Sequence, residues 1–274
     1  VDRTLDAPLR LGYTGGTTGR PKAVTLTTRG ELAELSAFLT DLVPDLSSSG
    51  TFLHAAPIAH ASGAFFLPSL VRGTRSLVMK KFDPVAFVTL AAREQANVTF
   101  LVPTMLARVL DEHPDWRPPA RLRAVLVGGA HAPTRLLERA ASRHVPVVVT
   151  YGMTETCSQV AATPYGERYG AAACGAGRPL DGVELRVADG RIEVRGPMRM
   201  AGYWGEPPLA PQAWFDTGDM GAFDERGFLH LHARRGDLIV TGGENVYPAE
   251  VERELERCPG IDAAAVFGVP DETW

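Results

Sequence analysis

The sequence predicts an α/β protein: parallel sheets flanked by helices, a small antiparallel β unit, and the start of a small C-terminal α+β domain. Three observations carry this. From Thr51 to Thr150, short apolar runs alternate with helix-like stretches, the pattern of a parallel sheet covered on both faces. Beyond Pro164 come short alternating runs separated by Gly- and Asp-containing turns, which reads as antiparallel. After Pro248 come a charged helix and one more strand-like run.

In order, the first element is a glycine-rich loop, Tyr13-Thr-Gly-Gly-Thr-Thr-Gly-Arg-Pro-Lys22, held between an apolar run (Leu9 to Tyr13) and an alternating run (Ala23 to Thr27). Such a loop turns backbone N–H groups inward to form an anion-binding concavity. Threonine hydroxyls add donors, and Lys22 adds a mobile point charge suited to phosphate. It is not a Walker A loop, because Pro21 separates Arg20 from Lys22 and Ala23 follows; a plain hairpin loop is the alternative. Thr28-x-x-Glu31 reads as a capping box, with Leu32, Leu35, Leu39 and Leu42 following at helical spacing. Thr51 to Ala56 is a strand ending at Pro57-Ile-Ala-His60. Asp83-Pro84 caps a helix to about Gln95, Val98 to Val102 is a strand, and Pro103 opens a helix to about Glu112. Arg123 to Val127 is a strand, Pro133 to about Arg143 a helix, and Val145 to Thr150 a strand. Val183 to Val187, Arg191 to Arg195 and Phe228 to His232 are the antiparallel strands, and Trp214-Phe-Asp-Thr-Gly-Asp219 between them reads as a turn with two carboxylates. The helix from Ala249 to about Arg257 alternates acids and bases, mostly a solvated face, and Ala263 to Val269 is a last strand.

Composition narrows the function. Net charge is −4, so no global basic field argues for nucleic acid or an anionic membrane. No apolar run approaches the roughly 18 residues of a membrane span, and the N-terminus has no signal-peptide pattern. Cys157, Cys174 and Cys258 are scattered without metal-ligand spacing, which favours a reducing cytoplasm. The chain begins without methionine and stops at Asp271-Glu-Thr-Trp274 just after a strand-like run, the look of a fragment.

Two polar clusters follow successive strands: Gly128-Gly129-Ala130-His131 and Tyr151-Gly-Met-Thr-Glu155. Ligands of open parallel sheets bind outside the carboxyl ends of the strands, so both are site candidates. Tight turns and a solvated Glu155 are the bland alternative.

Taken together, the loop from Thr14 to Lys22, Tyr151-Gly-x-Thr-Glu155, Thr217-Gly-Asp219, Arg234 with Asp237, and Gly242-Gly-Glu-Asn245 through Pro248-x-Glu250 resemble, in order, the adenylate-forming superfamily. Its members are acyl- and aryl-CoA ligases, adenylation domains of peptide synthetases, and luciferases. The resemblance implies an adenylate-forming enzyme fold, with 1–235 a large domain that binds ATP and the acid, its N-terminal part missing, and 236–274 the beginning of a small mobile C-terminal domain. A carboxylate attacks the α-phosphate of ATP, pyrophosphate leaves, and a thiol, usually of coenzyme A, takes the acyl group. Joining an anion to a polyanion calls for positive potential and alignment rather than a protein nucleophile.

By that resemblance, Thr14, Gly15, Gly16, Thr17, Thr18, Gly19 and Lys22 hold the β- and γ-phosphates, and Glu155 holds Mg²⁺. Thr154 lies beside the α-phosphate, Tyr151 gives an aromatic face to adenine with Gly152 beside it, and Asp219 accepts from the ribose hydroxyls, helped by Arg234. His60, with Ala61 and Gly63, falls in the acyl pocket near the reacting carboxylate; Gly129, Ala130 and His131 line that pocket from the other side, and Gly129 and Ala130 also belong to the cofactor-binding set. Gly236 stands at the hinge, two residues after Arg234, where the family usually has Asp or Lys. Glycine tolerates the rotation a hinge needs. Gly242, Gly243 and Asn245 belong to the thiol side.

Amino-acid-activating members carry an aspartate near the His60 position, whereas Ala55 to Leu67 contains no acid. A buried ammonium without a counter-charge is costly, so a non-amino acid is expected: fatty, aryl or bulky carbocyclic. The Arg234 to Pro248 stretch is similar to aryl- and succinylbenzoate-CoA ligases, whereas the His60-Ala-Ser-Gly63 region is similar to fatty-acid-type ligases. Members of the family extend before the phosphate loop and carry a C-terminal lysine, and the sequence includes neither, so the 274-residue chain is expected to adenylate poorly. A stand-alone domain loading a carrier protein and a non-catalytic nucleotide-binding relative are the rival readings.

Overall fold

The glycine-rich segment does join two paired strands. β1 (Pro8–Thr14) and β2 (Lys22–Thr27) are antiparallel, with Thr14 facing Lys22. The computed structural model describes residues 4–14, 21–234, 239–241, 244–246, 248–261 and 264–269. Gly15, Gly16, Thr17, Thr18, Gly19, Gly236, Gly242 and Gly243 lie outside the described residues, as do the side chains of Arg234 and Asn245.

α1 (Thr28–Ala37) departs from its expected cap. Thr27, not Thr28, caps it, its Oγ1 accepting from the Gly30 N–H at 3.1 Å, while Glu31 pairs with Arg10 of β1. The buried face is Gly30, Glu34 and Ala37, and Leu32 points to solvent. The cause is a widened turn over Phe38–Leu42, closed by Val43 N–H to Phe38 O, which shifts the apolar stripe onto Phe38 and Leu42.

The central sheet follows the expected alternation: β3 (Thr51–His54), α2 (Phe66–Val71), β4 (Arg75–Val78), α3 (Pro84–Arg93), β5 (Val98–Leu101), α4 (Pro103–Glu112), β6 (Ala124–Val127), α5 (Thr134–Ser142) and β7 (Val147–Met153). Asp83 caps α3 by accepting from Ala86 N–H at 2.8 Å. These strands pair in parallel in the order β4-β3-β5-β6-β7. Every residue of β3, β5 and β6 is buried, because both faces are covered. Phe87, Leu106, Leu110 and Leu137 of α3–α5 pack on one face. Val24, Leu26, Phe38 and Phe65 pack on the other, with the Phe38 and Phe65 rings stacked at 4.8 Å.

The sheet runs further than the periodicity indicated. β7 continues past Thr150, so Tyr151-Gly-Met is strand rather than loop. It pairs antiparallel with β8 (Ser158–Ala162), and β9 (Arg178–Pro179) follows at the edge. In the second sheet, β10 (Glu184–Ala188), β11 (Arg191–Arg195), β13 (Phe215–Phe223) and β14 (Leu229–Arg234) are antiparallel, while β12 (Gly202–Tyr203) crosses to pair with β2. The expected two-carboxylate turn is therefore the start of β13. It imitates a turn because Asp216 Oδ1 accepts from Gly218 N–H, Thr217 Oγ1 accepts from Asp219 N–H, and Gly218 has φ +78° at an irregularity in the pairing.

A hairpin of β15 (Ile239–Thr241) and β16 (Glu244–Val246) precedes α6 (Pro248–Glu256). The last strand expected over Ala263 to Val269 is absent from its described part: residues 264–269 pair with no strand, and Val266 N–H donates to Glu252 Oε1 instead. Among the described residues, no helix is long and apolar enough to cross a membrane.

Candidate active site

Two clefts open side by side where the central strands end at their carboxyl termini. The first, about 410 Å³, lies over the ends of β6 and β7 and under the antiparallel sheet, bounded by Gly129–Ala132, Val149–Met153, Asp219 and His230–His232. The second, about 630 Å³, is walled by β1, by α1, by the Ile58–His60 segment with Ala61 and Gly63, and by Thr154 and Gln159. Gly129, Gly152 and Met153 line both.

Backbone crowding makes that shared wall. A Cβ at Gly152 would stand 1.7 Å from Ser158 O and 2.6 Å from the Gln159 Cα, so β7 and β8 pass this closely only with glycine there. Gly12 does the same on the far side, where a Cβ would meet Thr154 Cγ2 at 2.4 Å. Thr154 and Glu155 sit in a single 3₁₀ turn, Thr154–Thr156, directly after β7. The turn is fastened by the Thr156 hydroxyl, which accepts from Met153 N–H at 3.1 Å, and by Met200 N–H donating to Glu155 O at 2.7 Å.

In the first cleft the Tyr151 hydroxyl donates to Asp219 Oδ2 at 2.8 Å, and Asp219 is 9% exposed. Tyr151, from the parallel sheet, and Asp219, from the antiparallel one, thus meet through a charge-assisted bond. Asp219 faces Arg234 in the β13–β14 register. Ala130 and His131 belong to this cleft. Neither lines the second cleft, and of that turn only Gly129 reaches both clefts. His60, Ala61 and Gly63 line the second cleft together with Thr154.

Lys22 and Glu155 come together on a residue that the sequence reading did not single out. The Lys22 ammonium stands over the Tyr203 ring, 4.5 Å from its centroid, and the Tyr203 hydroxyl donates to Glu155 Oε1 at 3.1 Å. Burial, and then the neighbouring Glu155 charge, push the Tyr203 phenol up to about 12, so it remains a donor. The two-residue strand holding Tyr203 is too short to show a period, which is why pattern reading passes over it.

Two more buried polar groups lie on this side: His54, bonded to the Ser62 side chain, and Glu34, which lines the second cleft. His54 is fully buried at the end of β3, hydrogen-bonded to Ser62 Oγ (3.0 Å) and Ser76 Oγ (3.4 Å), and burial lowers it to about 4. Glu34 projects from α1 and lines the cleft. The segment from Ala55 to Leu67 adds no acid, but α1 brings Glu31 and Glu34 to the same space.

Residues 2–204 match the AMP-binding enzyme family. The chain is 38% identical to feruloyl-CoA synthase of an Amycolatopsis species, with 98% of this chain aligned to 58% of that protein. It is 39% identical to 2-succinylbenzoate–CoA ligase of Bacillus licheniformis, covering 98% of this chain and 59% of that one. Among solved structures, o-succinylbenzoate CoA synthetase from Bacillus subtilis in complex with its acyl-adenylate intermediate superimposes with a TM-score of 0.86 at 34% identity, over 99% of this chain and 58% of the other. The amide bond synthetase McbA from Marinactinospora thermotolerans does so with 0.85 at 30% identity, over 96% and 56%. The chain thus spans under three-fifths of the length of these relatives, at 56–59%. With an antiparallel sheet set over the ends of a parallel one and two clefts meeting at their junction, it belongs to the AMP-binding enzymes of the adenylate-forming superfamily.

Proposed function

We propose that the protein carrying this chain activates a non-amino carboxylic acid with ATP, releasing pyrophosphate, and passes the acyl group to the thiol of coenzyme A. The observation that carries this is the shared wall of Gly129, Gly152 and Met153. A nucleotide in the first cleft and an acid in the second would bring an α-phosphate and a carboxylate together across it. Alignment of two bound reactants is worth several orders of magnitude in rate, and it needs no protein nucleophile. The names of the relatives, feruloyl-CoA synthase and 2-succinylbenzoate–CoA ligase, support coenzyme A as the acceptor and an aryl acid as the substrate class.

In this reading Asp219, fixed by Tyr151, takes the ribose hydroxyls, and Lys22 with the Thr14–Lys22 loop takes the outer phosphates. Thr154 and His60 flank the reacting carboxylate. Among the described residues no group of three His, Cys, Asp or Glu could cage a metal. One half-buried carboxylate, Glu155, suits Mg²⁺, which keeps phosphate and water oxygens and asks for one or two protein carboxylates. The bound ion would neutralise charge on the phosphates. A related structure, the Bacillus subtilis synthetase with ATP and a magnesium ion, supports this assignment. The domain boundary at 235/236, with Gly236 as hinge, and the thiol-side role of Gly242, Gly243 and Asn245 belong to the same reading. So does a cytoplasmic location, supported by the free thiols of Cys157, Cys174 and Cys258.

Acid-dependent ATP–pyrophosphate exchange by the intact protein tests the assignment. Asp219→Ala and Glu155→Gln should each lower exchange by about 100-fold or more, the scale of losing one contact made to developing charge. Exchange that survives both substitutions would refute it.

A further inference from the structure

Thr156 is fully buried and lines neither cleft, yet it closes the loop of residues 154–157 that joins β7 to β8. Its hydroxyl accepts from the Met153 N–H at 3.1 Å and stands 3.0 Å from both Met153 O and Ser158 O, with one proton to give to them. Met153 and Ser158 are the last pair of the β7–β8 ladder, so the hydroxyl is the seam between the two strands. The loop it closes is strained. Cys157 (φ +56°) and Ser158 (φ +132°) are consecutive non-glycine residues in the left-handed half of backbone space. Such residues persist only where their surroundings over-determine them, and they gather at functional sites. Packing against α1 pins Cys157 further, since a Cβ on Gly30 would stand 2.7 Å from its Sγ.

Two side chains of that loop reach the place where the chemistry is proposed. Thr154 lines the second cleft, and Glu155 meets the Tyr203 hydroxyl on the Lys22 side. Groups that must meet a reacting carboxylate and a metal act only when held close to the productive geometry. Without the Thr156 hydroxyl, Met153 N–H and the two carbonyls lose their common partner, and the backbone is released to leave its left-handed conformation. Relaxation there would carry Thr154 and Glu155 with it. Tyr151 and Asp219, bonded to each other across two sheets, lie outside the loop and would stay. We propose that Thr156 is a positioning residue whose hydroxyl holds the strained loop so that Thr154 faces the acid and Glu155 faces the magnesium-bound phosphates. The inference rests on the acid-activating function proposed above.

The test compares, in the intact protein, Thr156→Val, which keeps the shape and removes the hydroxyl, with Thr156→Ser, which keeps the hydroxyl. In Thr156→Val the kcat of ATP–pyrophosphate exchange should fall about 100-fold, with about tenfold more Mg²⁺ needed for half the maximal rate. Thr156→Ser should recover most of both. Binding is read separately, as the rise in Tm on adding ligand. The MgATP-induced rise should shrink in Thr156→Val, whereas the AMP-induced rise should match the wild type's. Wild-type kcat or a full MgATP rise in Thr156→Val overturns the inference. So does an equal loss in Thr156→Ser, or an AMP rise lost together with that of MgATP. In each of these cases exchange by the wild type still upholds the acid-activating function. No exchange by the wild type with any acid overturns both. Should Thr156→Val lose its cooperative thermal transition, Thr156→Ala is read in the same way; if that too fails to fold, the hydroxyl serves the fold alone and the inference falls.

Discussion

The two clefts are made of different material. The first cleft, proposed above for the nucleotide, takes much of its lining from β7, β13 and β14 with the turn after β6, and its polar pair Tyr151–Asp219 is locked across two sheets. The second, proposed above for the acid, is walled mainly by a helix and irregular segments, α1 and residues 58–63, with β1 beside them. Strands fixed on both sides by ladders hold their side chains in place. Loops and helix faces vary freely while the scaffold stays. A family can thus keep one nucleotide and change its acid, and the difference is open to direct attack at the wall the clefts share.

Gly152→Ala is the severest test. The new methyl would lie 1.7 Å from a backbone oxygen of β8, so the strands must part and both clefts lose their common floor. Overpacking of this kind costs about 3 kcal/mol or more. Thermal unfolding should show a large drop in Tm, and exchange activity should vanish for every acid. Retained stability with loss of only one ligand's binding would mean that the clefts do not depend on a common wall.

His54 separates the two sides by pH. Its folded value, about 4, lies below the 6.5 of an exposed histidine, so the folded state favours the neutral ring. The stabilisation is present above pH 6.5 and is lost as pH falls from there toward 4, by about 3 kcal/mol in all. Because His54 is bonded to Ser62, under the acid-side wall, protonation should loosen that side first. Denaturation midpoints between pH 7 and 4 should fall less steeply in His54→Asn than in the wild type. Equal slopes would show that His54 carries none of the pH dependence.

What the sequence disclosed follows the same division. Strands buried on both faces and helices opened by Pro84 and Pro103 were legible, because period and caps are local properties. So were Asp219, Tyr151 and Thr154, through their motifs. The acid side was only half legible. His60 was singled out and lines the second cleft, but Glu34 hid because Leu32 of α1 points at solvent and the buried face is marked by Gly30 and Ala37. Tyr203 hid in a two-residue strand whose partner, β2, is remote in the chain. The carboxylates of 216–219 looked like a turn because side-chain bonds to neighbouring N–H groups imitate one inside a strand. For Tyr203 what decided the outcome was contact between distant segments, which no local pattern encodes.

Tyr203→Phe asks the smallest question, and the most selective. The substitution removes the donor to Glu155 Oε1 but keeps the ring beneath the Lys22 ammonium. A hydrogen bond to a half-buried carboxylate contributes about 1 kcal/mol, so KM for MgATP should rise about fivefold while KM for the acid stays constant. Tyr203→Leu removes the ring as well, and the lost cation–π contact, about 0.5–1 kcal/mol, should add a further two- to fivefold on MgATP alone. Steady-state kinetics with each substrate varied in turn reads both steps. If the acid's KM moves as much as that of MgATP, then Lys22, Tyr203 and Glu155 brace the acid side too, and the contrast between a strand-built and a helix-built cleft fails at this point.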